Sequence, residues 1–320
     1  MNLDELLAIL ADGKFHSGED LSSMLKVSRT TVWKQVAKLQ DIGVEVNAVK
    51  GRGYRLQRSV ELLSLAEIYR HLSDKACATF SHIDLSLAVE STNRVAGNCG
   101  ISPYVCLAEM QTAGRGRRGR EWVSPFATNI YLSLAWRFNE ATASLDSLSL
   151  CIAVAMARAL RSEGCSGVGL KWPNDLLFEG SKLAGILLEA SGEVGGPIRV
   201  VIGIGLNIAM TQGQGGAIDQ DWISLNDISV DPVSRNRVVA TILDEMARAL
   251  PVFEAEGFVA FEDDWREFDC LINKSVDMQL GSDVVTGVAR GVDSTGALFI
   301  QHGDTVKSYR GGEVSVRVSK

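Results

Sequence analysis

Residues 111–121 read QTAGRGRRGRE, with Arg115, Arg117, Arg118 and Arg120 set among Gly114, Gly116 and Gly119 in a chain whose net charge is −7. Unpaired arginine is costly to bury, so this stretch is unsuited to filling a core. Guanidinium forks match phosphate or carboxylate oxygens, and glycine lets backbone amides come close to a ligand. The fitting chemistry is a flexible segment that folds over a nucleotide or another anion. A solvated basic loop is the plain alternative. Trp122, directly after the stretch, offers an aromatic platform for a purine ring. The glycines do not make a P-loop, because no Lys-Ser/Thr follows them, and no strand–GxGxxG–helix context is clear.

Four further segments carry polar chemistry. KWPNDL (171–176) gathers Lys171, Asn174 and Asp175 around Pro173, where Asn and Asp suit either a ribose or Mg²⁺, directly or through water. KLAGIL (182–187) sets Lys182 at the start of a strand, in reach of a phosphate and an attacking carboxylate. GIGLN (203–207) places two glycines in a strand, a sign of close approach by a ligand. Ser91, Thr92 and Asn93 supply hydroxyls and an amide. Singly, each reads equally as a turn, a surface lysine, a bulge or a cap.

Elements must hold these residues. Residues 62–268 alternate strand-like runs (PYVCLAEMQ, TNIYLSLAWRF, GVGLKWPNDLLF, KLAGILLEAS, IRVVIGIGLNIAM) with a buried helix ending at Gly164. A second helical stretch, 236–268, is expected to break near Pro251 and Gly257. This is a mixed α/β domain. Residues 270–320 are short strands between Gly, Asp and Ser turns, an all-β unit.

Residues 1–60 have a different character. An amphipathic segment ends at Gly13, Ser17 precedes a short acidic-started helix, and Ser28 caps a longer one with Val32, Val36, Leu39 and Ile42 on one face. Two strand-like pieces joined by KGRG then form a wing. Residues 22–56 hold seven Lys/Arg against two acids, a local +5. That charge favours DNA over a protein-binding helical module. Arg29, Thr30, Thr31 and Lys34, with the cap Ser28, sit where base edges are read, and Lys50 and Arg52 at the wing tip face phosphates.

Composition sets bounds. A net charge of −7 excludes a generally basic nucleic-acid-coating protein. The N-terminus lacks signal-peptide features, and no apolar run is long enough to span a bilayer, so no membrane partner is expected and the location is cytoplasmic. Six scattered cysteines without a CxxC pair read as reduced thiols, and four dispersed histidines give neither a zinc site nor a catalytic triad.

ESTN, QTAGRGRRGREW, KWPNDL, KLAGIL and GIGLN, in that order after a winged helix, resemble the bifunctional biotin–protein ligase and biotin operon repressor family. The resemblance covers essentially the whole chain, including ARGVDSTGALFIQ and GGEVSV near its end. It implies an α+β multidomain protein: a winged helix-turn-helix at 1–60, a biotin/lipoate-ligase-like catalytic domain at 62–268, and a small SH3-like barrel at 270–320. Members without a regulatory role lack the helix-turn-helix. The implied activity joins biotin to ATP as biotinyl-5′-AMP, with Mg²⁺, then passes biotin to one lysine of a biotin carboxyl carrier protein domain.

Site roles follow from the resemblance. Biotin is expected at Ser91, Thr92, Asn93, Gln111, Arg115, Gly116, Arg117, Lys182, Gly185 and Gly205. ATP or the adenylate is expected at Arg117, Arg118, Arg120, Trp122, Asn174, Asp175, Asn207 and Trp222, with Asp175 toward the metal and Lys182 and Arg117 catalytic. Arg310 is a further contributor. The arginine stretch acts as a lid over a water-sensitive mixed anhydride. A ligand-promoted homodimer then presents two winged helices to the operator of biotin synthesis genes. Two alternatives stand beside this reading: a lipoate or octanoate ligase of the same fold, and a non-enzymatic biotin-sensing repressor.

Overall fold

The computed structural model describes residues 3–139, 145–192, 196–280, 283–311 and 314–318. Gly312 and Glu313 of the GGEVSV motif lie outside them. Serine caps punctuate the chain from its start. Helix α1 (Leu3–Leu10) precedes α2 (Gly18–Met24) and α3 (Arg29–Asp41), and the hydroxyls of Ser17 and Ser28 accept from the amides of Asp20 and Thr31. Each such cap contributes about 1 kcal/mol. Val32, Val36 and Leu39 of α3 are buried against Leu6, Leu7, Leu10 and Leu21. The wing is the antiparallel pair β1 (Val46–Val49) and β2 (Gly53–Leu56). Gly53 has φ +99°, and a Cβ there would sit 1.9 Å from the carbonyl oxygen of His16, so the wing closes onto the turn before α2 only with glycine at this position.

The central domain begins with α4 (Leu65–His71) and α5 (Asp74–Thr79), which the sequence reading did not mark. It continues with β3 (Ile83–Val89), α6 (Thr92–Asn98), β4 (Tyr104–Gln111), β5 (Ile130–Phe138), α7 (Leu148–Ser162), β6 (Val168–Lys171), β7 (Asp175–Phe178), β8 (Ser181–Gly192), β9 (Ile198–Leu206), α8 (Arg235–Glu256) and α9 (Glu262–Phe268). The strands form one seven-stranded sheet in the order β3-β4-β5-β9-β8-β7-β6, parallel only between β3 and β4. Both faces of β4 are covered. Val105 and Leu107 join the large core with α7 and α8, whereas Tyr104 and Cys106 pack with Ala96 of α6. This double burial explains why the strand reads as a continuous apolar run.

One expectation is corrected here. Helix α8 runs straight through Pro251 and ends only at Gly257, whose φ is +70°. Proline inside a helix costs ~3 kcal/mol. Burial of Leu243, Met246, Leu250 and Phe253 on either side holds the helix against that cost.

The last unit is a five-stranded antiparallel sheet, built from β10 (Ser275–Leu280), β11 (Asp283–Val292), β12 (Leu298–His302), β13 (Thr305–Tyr309) and β14 (Val314–Val318). Its order β13-β12-β11-β10-β14 suits a small SH3-like barrel. Its core is continuous with the central one through Val276, Met278, Leu298 and Ile300. The winged helix keeps a separate cluster that shares Met110 of β4 with the central domain. All six cysteines are free, and burial pushes the Cys106 thiol up to about 12. Among the described residues no helix is long and apolar enough to cross a membrane.

Candidate active site

A single pocket collects most of the residues singled out in the sequence. Its floor is β8 and β9, one end is the start of α6, and the arginine stretch and the 172–175 turn flank it. Ser91, Thr92, Asn93, Gln111, Arg115, Gly116, Arg117, Arg118, Arg120, Trp122, Asn174, Asp175, Lys182, Gly185 and Gly205 all line it.

The end formed by α6 is a closed polar network. Gln111, the last residue of β4, accepts through Oε1 from the backbone N–H (2.8 Å) and hydroxyl (3.1 Å) of Thr92. Its Nε2 donates to Ser124 Oγ at 3.0 Å. The Ser133 hydroxyl donates to Asn93 Oδ1 at 2.6 Å, and Asn93 Nδ2 donates to Glu189 Oε2 at 2.9 Å. Thr92 and Asn93 are buried, so these bonds hold their polar groups in fixed directions, and Ser91 is buried beside them.

The other end is cationic. Lys182 Nζ lies 2.8 Å from Asp175 Oδ1, both side chains mostly buried. The β7–β8 register shifts between Leu176 and Leu177, which inserts Leu183 as a bulge beside Lys182. Such a bulge re-aims the neighbouring side chain. Arg117 donates to Asn174 Oδ1 (2.8 Å) and to the carbonyl of Gly311 (2.5 Å), so it pins the arginine stretch to the 172–175 turn and to the C-terminal unit. Burial lowers the pKa of Arg117, with the charge of Asp175 opposing. Lys171 shows the same pattern: burial pulls it below the usual lysine value and Asp175 works against that. Three cations thus surround one carboxylate, an excess of positive charge suited to a polyanion.

Between the two ends stands Trp122. A Cβ on Gly205 would lie 2.3 Å from its indole, and one on Gly185 3.0 Å from the ring. The close approach expected at these glycines is therefore made by Trp122 itself. Its indole N–H is buried without a hydrogen-bond partner, and Lys182 Nζ is 5.4 Å from the ring centroid. At Gly203 the approaching group is Asn93, whose Oδ1 would be 2.1 Å from an added Cβ. Glycine at 203 clears room for the polar network.

Three expected site residues lie off the pocket lining. Asn207 is buried and donates to the carbonyls of Lys182 (3.4 Å) and Ile223 (3.3 Å), which ties segment 221–223 to the head of β8. Trp222 forms a parallel bridge with Lys182, and its ring covers Gly215; Gln220 of the same segment does line the pocket. Arg310 is exposed and also off the lining. Lys171 and Gln220 line the pocket without an expected ligand role, and Gly203, one of the two glycines of GIGLN, lines it too. For Lys171 the signal was its place in KWPNDL.

In the winged helix, the hydroxyls of Ser28 and Thr31 are 2.8 Å apart and serve the cap. Arg29, Thr30, Lys34, Lys50 and Arg52 are exposed. The guanidinium of Arg52 stacks on Phe15 at 4.1 Å, and that of Arg55 lies 4.6 Å from the same ring.

Comparison with known proteins agrees with this geometry. Residues 89–207 match the biotin/lipoate A/B protein ligase family, residues 2–55 an HTH domain, and residues 271–317 the biotin protein ligase C terminal domain. The chain is 40% identical over 316 residues to the bifunctional ligase/repressor BirA of Escherichia coli (strain K12), covering 98% of this chain and 96% of that one. It is 36% identical over 253 residues to the biotin--[acetyl-CoA-carboxylase] ligase of Mycobacterium tuberculosis, covering 72% and 88%. The biotin protein ligase of Aquifex aeolicus, solved in complex with biotin and ATP, superposes with a TM-score of 0.66 at 26% identity, covering 75% of this chain and 100% of that one.

Proposed function

The chain belongs to the biotin/lipoate A/B protein ligase family, and on that premise we propose that its pocket joins biotin to ATP and hands the biotin to a carrier lysine. It is a biotin–protein ligase that also carries a repressor's DNA-binding module. The observation that carries the reading is the convergence of Lys182 and Arg117 on one glycine-floored pocket whose other end is a neutral hydrogen-bonding network.

The division of labour follows from charge. Ser91, Thr92, Asn93 and Gln111, with Arg115 and Gly116 above them, take the uncharged body of biotin. Lys182 and Arg117 take its carboxylate together with the α-phosphate. Arg118, Arg120, Asn174 and Asp175 face the nucleotide. The carboxylate oxygen attacks the α-phosphorus and the bond to pyrophosphate breaks. Charge builds on the non-bridging oxygens, and preorganised cations stabilise that state most. The carrier's lysine amine then attacks the acyl carbon, AMP leaves, and an amide forms with loss of a proton. The arginine stretch, tied down by Arg117, excludes water from the mixed anhydride between the two steps. Trp122 fills the strip over Gly185 and Gly205, so a ligand lying on those glycines turns its ring aside.

Among the described residues no three His, Cys, Asp or Glu side chains group to cage a metal. Asp175, at the cationic end of the pocket, would hold Mg²⁺ carried by the nucleotide phosphates, directly or through a water. Held there, the ion would supply charge neutralisation for the leaving pyrophosphate. We assign residues 1–60 to operator DNA, 62–268 to catalysis and 270–320 to the closing barrel. Adenylate-loaded chains pair as a homodimer on a palindromic operator.

The test is transfer. Purified protein is incubated with biotin, MgATP and a biotin carboxyl carrier domain, and the carrier is weighed by mass spectrometry. The expected result is a gain of one biotin on a single lysine. Labelling by lipoate or octanoate and not by biotin would move the chain to the sister activity.

A further inference from the structure

Trp33 has no part in the core of the winged helix. It lies in the second turn of α3 and is 60% exposed, the most exposed large aromatic side chain among the described residues. Its place on the helix is specific. Residues one turn apart line up along a helix, so Arg29, Trp33 and Ala37 form one row and Thr30, Lys34 and Lys38 the next. Val32, Gln35, Val36 and Leu39 occupy the opposite, buried side. Trp33 thus stands on the exposed side of the helix, one turn from Arg29 and beside the row of Thr30, Lys34 and Lys38, all exposed. The wing places two more cations, Lys50 and Arg52, on this small domain.

Resting on the DNA-binding reading above, we propose that Trp33 is a base-reading residue, its indole seated against thymine methyl groups in the major groove of the operator. The chemistry favours this occupant. The first residues of a recognition helix meet base edges, and an apolar side chain there is read by the thymine 5-methyl group. The surrounding cations complement phosphates on both sides of a groove. Lysine is depleted at the core of protein interfaces, so Lys34 and Lys38 on this side of the helix argue against a protein there. Arg29 and Lys34 then fix the helix on the backbone, and Trp33 sets which sequence is preferred.

The experiment uses the full chain supplied with biotin and MgATP. Preferred duplexes are selected from a random pool by the parent protein and by Trp33→Ala and Trp33→Phe. The parent is expected to recover a sequence with thymine at a symmetric position in each half-site. Trp33→Ala should lose that preference and bind the parent's duplex about ten- to a hundredfold more weakly, with an unchanged salt slope. Trp33→Phe should keep most of it. Replacing that thymine by uracil removes only the methyl group, and should weaken the parent while leaving Trp33→Ala unaffected. The proposal is overturned if Trp33→Ala selects the same sequence with parental affinity, or weakens on all duplexes alike. Unaltered DNA binding with lost self-association in sedimentation would make the face a protein contact, and also overturn it. A parent that prefers no sequence would defeat the DNA-binding reading itself, a failure visible before any variant is made.

Discussion

In the proposed reaction, Lys182 is the residue on which the chemistry turns. It is held between Asp175 at 2.8 Å and the ring of Trp122, in a mostly buried place where a positive charge acts strongly on whatever enters. An interaction realised chiefly as charge develops should appear in the rate of the first step and not in biotin binding. Lys182→Met is therefore expected to slow biotinyl-AMP formation about a hundred- to a thousandfold, with biotin affinity changed far less; single-turnover kinetics beside calorimetry of biotin binding checks it. Equal losses in rate and affinity would make Lys182 a binding residue only. At this scale the sequence was informative where function is local. An arginine–glycine run, a lysine opening a strand and an Asn-Asp turn announce their chemistry by type. What Gly203 and Gly205 face was hidden, because Asn93 and Trp122 reach them from segments about a hundred residues away.

Strand β4 is the element that ties the units together. Three consecutive side chains at its end face three destinations. Gln111 enters the pocket network, Met110 packs in the winged-helix cluster, and Glu109 is buried against Arg235 of α8. The Glu109–Arg235 pair closes at 2.8 Å with side chains 5% and 3% exposed, and Glu109 Oε1 also accepts from the amide of Leu63, just before α4. Removing one partner of such a pair leaves a buried uncompensated charge, a cost of about 3–5 kcal/mol. Glu109→Ala should lower unfolding free energy by about that amount, measured by urea titration; a loss below about 1 kcal/mol would mean that water reaches Arg235. Periodicity predicted β4, β5, β8, β9 and α7 because each spans a complete apolar run. It missed α4, α5, β3 and α6, which are short or carry mixed faces, and it expected a break at Pro251 because local propensity says nothing of the core that holds α8 together.

Over the whole molecule, net charge −7, an acidic body carries a small winged helix whose residues 22–56 are locally +5. The two are not loosely strung. Arg58, just after β2, donates to the carbonyl of Ala209 at 2.9 Å and to Gln214 Oε1 at 3.3 Å, so the DNA-reading unit is seated on the catalytic one. Ligand ordering of the pocket loops can then bias how two chains meet, and two seated winged helices match a two-fold operator. Operator affinity is accordingly expected to rise with protein concentration and to tighten when biotin and ATP are present, measured by fluorescence anisotropy beside sedimentation of the free protein. Concentration-independent binding indifferent to biotin would contradict the coupling. The central claim, however, is that the pocket makes an adenylate of biotin. ATP–pyrophosphate exchange with the purified protein and Mg²⁺, in parallel reactions with biotin, lipoate and octanoate, tests it most directly. The account predicts exchange that depends on biotin; exchange supported only by lipoate or octanoate, or by none of the three in folded protein, would contradict it.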